Sequence, residues 1–170
     1  MSKKIALLSD SHSYMGNEII DAIKDCDELW HAGDVGDYAV IDKLDTHFKT
    51  IRLVHGNIDG FDVRTTWPKD QLFICEGVKV FMTHIGGYPG RYNKRVRAIL
   101  EAEKPNLYIC GHSHILKVVR DKRLNLLHMN PGACGHYGFH FVRTLIKFEL
   151  HQSKIKDVAV VELGKRGRLT

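Results

Sequence analysis

Five short apolar runs in this chain each break off at a side chain able to bind a metal ion, and that recurrence constrains the fold more than any other feature. Ile5-Ala6-Leu7-Leu8 runs into Asp10 and His12, Leu29-Trp30-His31-Ala32 into Asp34, and Ile51-Arg52-Leu53-Val54 into Asn57. Val78 to Met82 ends at His84, and Leu107-Tyr108-Ile109-Cys110 ends at Gly111-His112-Ser113-His114. Short apolar runs closed by polar loops read as buried strands. Helical spacing separates several of them. Ile19, Ile20 and Ile23 follow a capping Asn17, Val40, Ile41 and Leu44 fall within 38–44, and Val96, Ile99 and Leu100 fall within 91–103, before Pro105. Alternating strands and helices predict an α/β chain with a parallel sheet, whose carboxyl strand ends share one edge, the usual place for a site. About two dozen residues between groups is what one strand-helix-strand unit consumes, so remote residues meet in space.

The pattern changes further along. Gln71 to Cys75 and Val78 to Met82 flank Glu76-Gly77, a tight turn that predicts a hairpin. Beyond Ile115, the strand-like stretches Leu116 to Arg120, Leu126 to Met129, Thr144 to Leu150 and Ile155 to Val161 lack long helices between them, so this half reads as antiparallel β. With no repeat or linker, 170 residues read as one domain over 1–163 followed by a basic tail over 164–170. The net charge of +5 is modest and partly due to that tail, so nucleic acid is not the expected partner. Cys26, Cys75, Cys110 and Cys134 are far apart and read as free, mostly buried thiols. They fit a reducing compartment, and the apolar run at the N-terminus is too short for a signal peptide, so a cytoplasmic location is expected. Nothing approaches a membrane span, and a homodimer is the default oligomer.

Carboxylate, carboxamide and imidazole ligands together suit borderline divalent ions, and the absence of thiolate argues against a structural zinc knuckle. Seven ligands are too many for one such ion. Two ions ~3.5 Å apart, sharing one carboxylate, would use them all.

The series Asp10-x-His12, Gly33-Asp34-x-x-Asp37, Gly56-Asn57-x-Asp59, a strand-end His84 and Gly111-His112-x-His114 resembles, in order, the calcineurin-like metallophosphoesterase superfamily. The match runs from Asp10 to His114. The small size, the Gly56-Asn57-Ile58-Asp59 variant and Asn130-Pro131-Gly132 look most like the small bacterial and archaeal phosphodiesterases, to which a metal-poor retromer subunit is related. The resemblance implies a four-layer α-β-β-α sandwich, two facing mixed sheets flanked by helices. It implies that Asp10, His12 and His114 hold one metal, that Asn57, His84 and His112 hold a second, and that Asp34 bridges them. A hydroxide between the ions would attack phosphorus, with Asp34, Asn57 and His84 nearest the chemistry. Mn²⁺ is the first expectation, with Ni²⁺, Co²⁺, Fe²⁺ and Zn²⁺ as alternatives. The implied substrate is a small phosphodiester or nucleotide-like molecule. A phosphomonoesterase, a nucleotide pyrophosphatase and a non-catalytic scaffold like the retromer subunit are the competing functions. Asp37 and Asp59 are expected behind the ligands, orienting imidazoles or backbone, with loop capping the plain alternative.

Two departures matter. Many relatives place histidine after the asparagine to protonate the leaving group, but this chain has Ile58, which has no proton to give. Leaving groups that need little protonation are then favoured, or metal-bound water, or another group such as His55, must serve. After His84 the chain reads Ile85-Gly86-Gly87-Tyr88-Pro89-Gly90, a glycine-rich loop that either widens access or simply turns. Its neighbour Arg91, with Asn93, Lys94 and Arg95, is a candidate for meeting substrate phosphate, the alternative being a solvated helix face. His136, with Tyr137, His140 and Arg143, lines either the pocket or an oligomer contact. His31, His47, His128 and His151 lie off the pattern and are expected in packing or at the surface.

Overall fold

The computed structural model describes residues 1–167. In chain order its elements begin β1 (Ser2–Leu8), α1 (Asn17–Ile23), β2 (Glu28–His31), α2 (Ala39–Asp45), β3 (Ile51–Leu53), α3 (Phe61–Thr66) and β4 (Asp70–Cys75). They continue β5 (Val78–Thr83), α4 (Lys94–Glu103), β6 (Leu107–Ile109), β7 (Leu116–Asp121), β8 (Leu126–Pro131), β9 (Val142–His151) and β10 (Lys154–Lys165).

Along β1 the side chains alternate. Ile5 and Leu7 join one apolar cluster, Ala6 and Leu8 another, and all four are fully buried. A strand apolar on both faces is covered on both sides. Ala6 and Leu8 pack with Ile19, Ile20 and Ile23 of α1 and with Val40, Ile41 and Leu44 of α2. Ile5 and Leu7 meet Val78, Val80 and Met82 of β5 and Ile109 of β6, across the gap between two sheets. A third cluster sets Val96 and Leu100 of α4 against Phe81 and Tyr108, on the far face of the second sheet. Helices, sheet, sheet and helix therefore form the four layers expected.

The first sheet runs β10-β9-β1-β2-β3 and the second β4-β5-β6-β8-β7. Both are mixed. β1, β2 and β3 are parallel to one another, as are β5, β6 and β8, while β4, β7, β9 and β10 join antiparallel. The antiparallel reading of the second half therefore fails at β8. Five of its six residues are buried, whereas β7 is mostly exposed, so β8 takes the interior place beside β6 and β7 takes the edge. Strands β9 and β10 return to the first sheet, Ile146 of β9 lying opposite Leu7.

Other boundaries differ for local reasons. Gly16, not Asn17, precedes α1, and Asn17 is its first helical residue, with Oδ1 accepting from Lys43 Nζ at 3.0 Å. Helix α4 starts at Lys94 because Asn93 caps it, its side chain accepting the Val96 N–H at 2.8 Å. Helix α3 occupies what reads as a linking stretch. Strand β10 extends through Lys165, and Arg166 N–H donates to Phe141 O at 2.9 Å. The rest of the expected basic tail, from Arg168, lies outside the described residues. Among the described residues, no helix is long and apolar enough to cross a membrane. Cys75, Cys110 and Cys134 are buried, Cys26 is half-buried, and all four are free thiols.

Candidate metal centre

The five ligand-bearing loops all leave the carboxyl ends of parallel strands, β1, β2 and β3 in one sheet and β5 and β6 in the other. Backbone hydrogen bonds tie the loops together. Asp10 N–H donates to Gly33 O at 2.9 Å, His12 N–H to Asp34 O at 3.1 Å, and Gly111 N–H to His84 O at 3.0 Å. Between the sheets, His112 N–H donates to Asp10 Oδ2 at 3.1 Å and Cys134 N–H to Ser9 O at 3.0 Å. Two motif glycines are required by close approach. A Cβ on Gly56 would lie 2.0 Å from Asp34 Oδ1, and one on Gly111 would lie 2.0 Å from Ser9 Oγ.

Asp10, His12, Asp34, His112 and His114 all adopt left-handed backbone, with φ between 44° and 68°. For a residue with a Cβ this costs roughly 1–2 kcal/mol. Such strain persists only where surrounding bonds impose it, and here it falls on five of the seven predicted ligands.

These residues converge in two groups. In the first, Asp10 Oδ1 is 3.1 Å from His114 Nε2 and 3.9 Å from His12 Nε2. In the second, His84 Nε2 is 3.2 Å from Asp34 Oδ2 and 3.1 Å from Asn57 Oδ1, which is itself 3.0 Å from His112 Nδ1. Asp34 Oδ2 also lies 3.6 Å from His12 Nε2, so one carboxylate oxygen faces both groups.

Hydrogen bonds behind the imidazoles set which nitrogen faces inward. His84 Nδ1 lies 2.7 Å from Ala32 O, which can only accept, so Nδ1 carries the proton and Nε2 a lone pair. By the same logic His140 Nε2 donates to Gly135 O at 2.9 Å, which leaves His140 Nδ1 to accept from His114 Nδ1 at 3.3 Å. His114 Nε2 then directs a lone pair at Asp10 Oδ1. Facing lone pairs at this distance repel unless a cation joins them. Two ligands bound at right angles through bonds of ~2.1 Å stand ~3 Å apart, which is the spacing found here. Asp10 Oδ1 and His12 Nε2 are also buried without a hydrogen-bond partner, a costly state unless something else fills the gap. The residues therefore fit two divalent ions.

Without a metal, protons compensate in part. Burial alone would raise the Asp10 pKa, but the His114 and His12 imidazoles hold it well below the usual carboxylate range. Burial works against a charge on His84, yet Asp34 and Asp10 raise its pKa. His112 is pushed down, by burial and then by His84.

The remaining predicted positions divide. Buried Asp59 accepts from Gly36 N–H at 2.8 Å and from Gly56 N–H at 2.7 Å, stapling the loops after β2 and β3 behind Asp34. Exposed Asp37 accepts from Ala39 N–H at 2.9 Å at the start of α2. Ile58 uses only its backbone, donating to Asp34 Oδ1 at 3.0 Å. The His136 ring is bonded to Arg166 O and packed edge-on against Tyr14. Arg91 is exposed and is not among the residues lining the cleft of about 330 Å³ beside Asn57 and His84, which Asn93 and Arg95 do line. Of the four histidines off the pattern, His31 is fully buried between Ser11 and Gly33, and burial pushes its pKa down to about 4.

Several contributors lie outside the five ligand motifs. Ser9 Oγ donates to Asp10 Oδ2 at 2.6 Å. Arg64 on α3 donates to the carbonyls of Asp59, Gly56 and Asn57 at 2.6, 3.0 and 3.0 Å, fixing the loop that presents Asn57. Asn130 holds the Gly111 carbonyl at 2.9 Å. The Tyr137 ring lies over His12, with centroids 5.0 Å apart. In sequence, Asn130 is signalled by the Asn130-Pro131-Gly132 stretch and Tyr137 by the histidine-rich composition around His140, while Ser9 and Arg64 carry no signal.

Known proteins share this fold. The calcineurin-like phosphoesterase superfamily domain matches residues 4–153. A probable metallophosphoesterase of Methanothermobacter thermautotrophicus is 27% identical over 137 residues, covering 76% of each chain. An archaeal phosphodiesterase superposes with TM-score 0.72 at 21% identity, over 93% of this chain and 99% of that one. A single mutant of Vps29 from Entamoeba histolytica superposes with TM-score 0.73 at 15% identity, over 94% and 98%. At these identities the superpositions establish the fold alone. With the family match spanning most of its length and the two ligand groups in place, the chain belongs to the calcineurin-like phosphoesterase superfamily.

Proposed function

We propose that this protein is a binuclear metal-dependent phosphoesterase acting on phosphodiesters, with Asp10, His12 and His114 holding one ion, Asn57, His84 and His112 the other, and Asp34 shared. The observation that carries the reading is the Asp34 carboxylate, whose Oδ2 faces His12 on one side and His84 on the other. When bound, two divalent ions, Mn²⁺ first among them, supply an acidified water and Lewis-acid stabilisation of charge on phosphorus. The chain's own residues hold and aim. Asp34, Asn57 and His84 would lie nearest the phosphoryl group attacked, and Asp59 and Arg64 fix the loops behind them. Cysteine is not the nucleophile, because burial raises the Cys110 thiol to about 11 and the Cys134 thiol to about 12. Ile58 cannot protonate a leaving group, which favours esters whose leaving group needs little help. The free thiols suit a cytoplasmic protein.

The test is hydrolysis of bis(p-nitrophenyl) phosphate against p-nitrophenyl phosphate with Mn²⁺, Ni²⁺ and Co²⁺, using His112→Ala as control. The diester is expected to turn over and the variant to lose activity. Cleavage of the monoester with the diester untouched would overturn the phosphodiesterase reading. The competing reading, a protein-binding scaffold, draws on the likeness to Vps29. It would replace ours if metal analysis found no ion and Asn57→Ala changed neither stability nor activity.

A further inference from the structure

The cleft beside Asn57 and His84 has a charge that metal binding does not account for. No carboxylate lines it, while Arg64, Lys69 and Arg95 do. Arg95 is neutralised by Asp70 and also bonds Thr83 Oγ1 at 3.2 Å, so it forms a fixed wall. Arg64 differs. Its guanidinium is held by three backbone carbonyls, which orient it without cancelling its charge. Lys69 is exposed at the mouth, and among the described residues neither Arg64 nor Lys69 has a carboxylate partner. Two uncompensated cations in a concave site draw an anion toward it. The Asn57 carbonyl that Arg64 holds belongs to a ligand residue, so whatever binds here lies against the second ion's ligands.

We propose that this cleft is a subsite for a second anionic group, a carboxylate or phosphate, on the part of the substrate that is not attacked. This rests on the phosphodiesterase reading above and narrows it to a diester carrying more than the single negative charge of its phosphate link, as in a nucleotide with an additional phosphate. Lys69 is a specificity residue and Arg64 the fixed back wall.

Two matched pairs of compounds test this on the full chain loaded with Zn²⁺ or Mn²⁺. For catalysis they are p-nitrophenyl phenyl phosphate and its 4-carboxyphenyl analogue. For binding they are phenylphosphonate and 4-carboxyphenylphosphonate, whose P–C bond is not hydrolysed. Wild type is expected to favour the carboxylated member of each pair by about fivefold, in KM rather than kcat for the esters and in calorimetric Kd for the phosphonates. Lys69→Gln should erase the preference by weakening the carboxylated member of each pair, and Lys69→Arg should restore it. Equal affinity for the two phosphonates, no binding of the carboxylated one, or a preference that survives in Lys69→Gln would overturn the subsite. A phosphonate preference without hydrolysis of either diester would instead sink the phosphodiesterase reading and leave the subsite standing.

Discussion

Two carboxylates are buried at opposite ends of the same sheet, and they are held in opposite ways. Glu28 opens β2 and is 2% exposed. Its Oε1 accepts from Lys3 Nζ, and its Oε2 from Trp30 Nε1 at 3.0 Å and from Arg52 Nε at 3.1 Å. Asp10 lies just beyond the end of β1 and is fully buried. Its Oδ2 has Ser9 and His112 N–H as donors, but its Oδ1 has none and faces imidazole nitrogens. A buried carboxylate with every oxygen satisfied is a structural element. One with an oxygen left over, set among strained residues, is built for a cation that arrives from outside.

The comparison breaks most visibly at Asp10→Asn. An asparagine amide placed at Oδ1 donates to the His114 Nε2 lone pair, and this bond, with relief from burying a charge, offsets the lost attraction between the carboxylate and the imidazoles around it in the metal-free fold. The expected outcome is at least ~100-fold weaker binding of one of two ions by calorimetry, beyond the ~10- to 100-fold typical of losing a group behind a ligand. Urea unfolding in EDTA should show stability unchanged or raised by ~1 kcal/mol. A marked drop in metal-free stability would put Asp10 in the same class as Glu28.

Glu28→Gln should behave in reverse. It leaves Lys3 and Arg52 without their charge partner, and loss of charged hydrogen bonds at a buried site costs roughly 2 kcal/mol. Metal stoichiometry and affinity should not move. A Glu28→Gln chain that unfolds like wild type would mean that its ion pairs are too well solvated to matter.

His140→Ala sharpens the comparison with a smaller effect. His140 touches no metal position, but it fixes the proton of His114 on Nδ1. Its loss is expected to weaken the ion at Asp10, His12 and His114 by about 10-fold, leaving the Asn57, His84 and His112 ion unchanged. Nitrogen chemical shifts of the His114 ring report the tautomer directly. A ring that keeps its proton on Nδ1 in the variant would show that the orientation has another source.

What the sequence makes legible follows from where the information is local. The apolar runs before Asp10, Asp34, Asn57, His84 and His112 mark strands by their own pattern, and the Glu76-Gly77 hairpin needs only adjacent residues. The placement of β9 beside β1 depends on packing between segments well over a hundred residues apart, as in the Leu7 and Ile146 pair. Arg64 stays hidden for a related reason. Helix α3 is six residues long with Val63 as its one buried side chain, too little periodicity to register. The left-handed backbone at Asp10 or His114 is likewise invisible, because nothing in an aspartate or histidine announces φ near +55°. The identities of the ligands are therefore readable, and so is Asp59 behind them, while Ser9, Arg64 and His140, which also aim them, belong to none of the five ligand motifs.

The smallest effect is one of pH, and it isolates the charge on Glu28 from its shape. Burial opposes ionisation of Glu28, but hydrogen bonds from Lys3 and Trp30, with the charge of Arg52, outweigh it and hold the carboxyl below its ordinary 4.5. A group held down in this way stabilises the fold above its ordinary pKa and loses that contribution as pH falls through its folded value. The urea midpoint of wild type should therefore drop below pH ~4.5 faster than that of Glu28→Gln, which has no proton to gain there, and the two curves should converge. Other carboxylates titrate alike in both chains and cancel in the difference. A gap that stayed constant from pH 7 downward would trace the loss in Glu28→Gln to altered packing around Trp30 rather than to the missing charge.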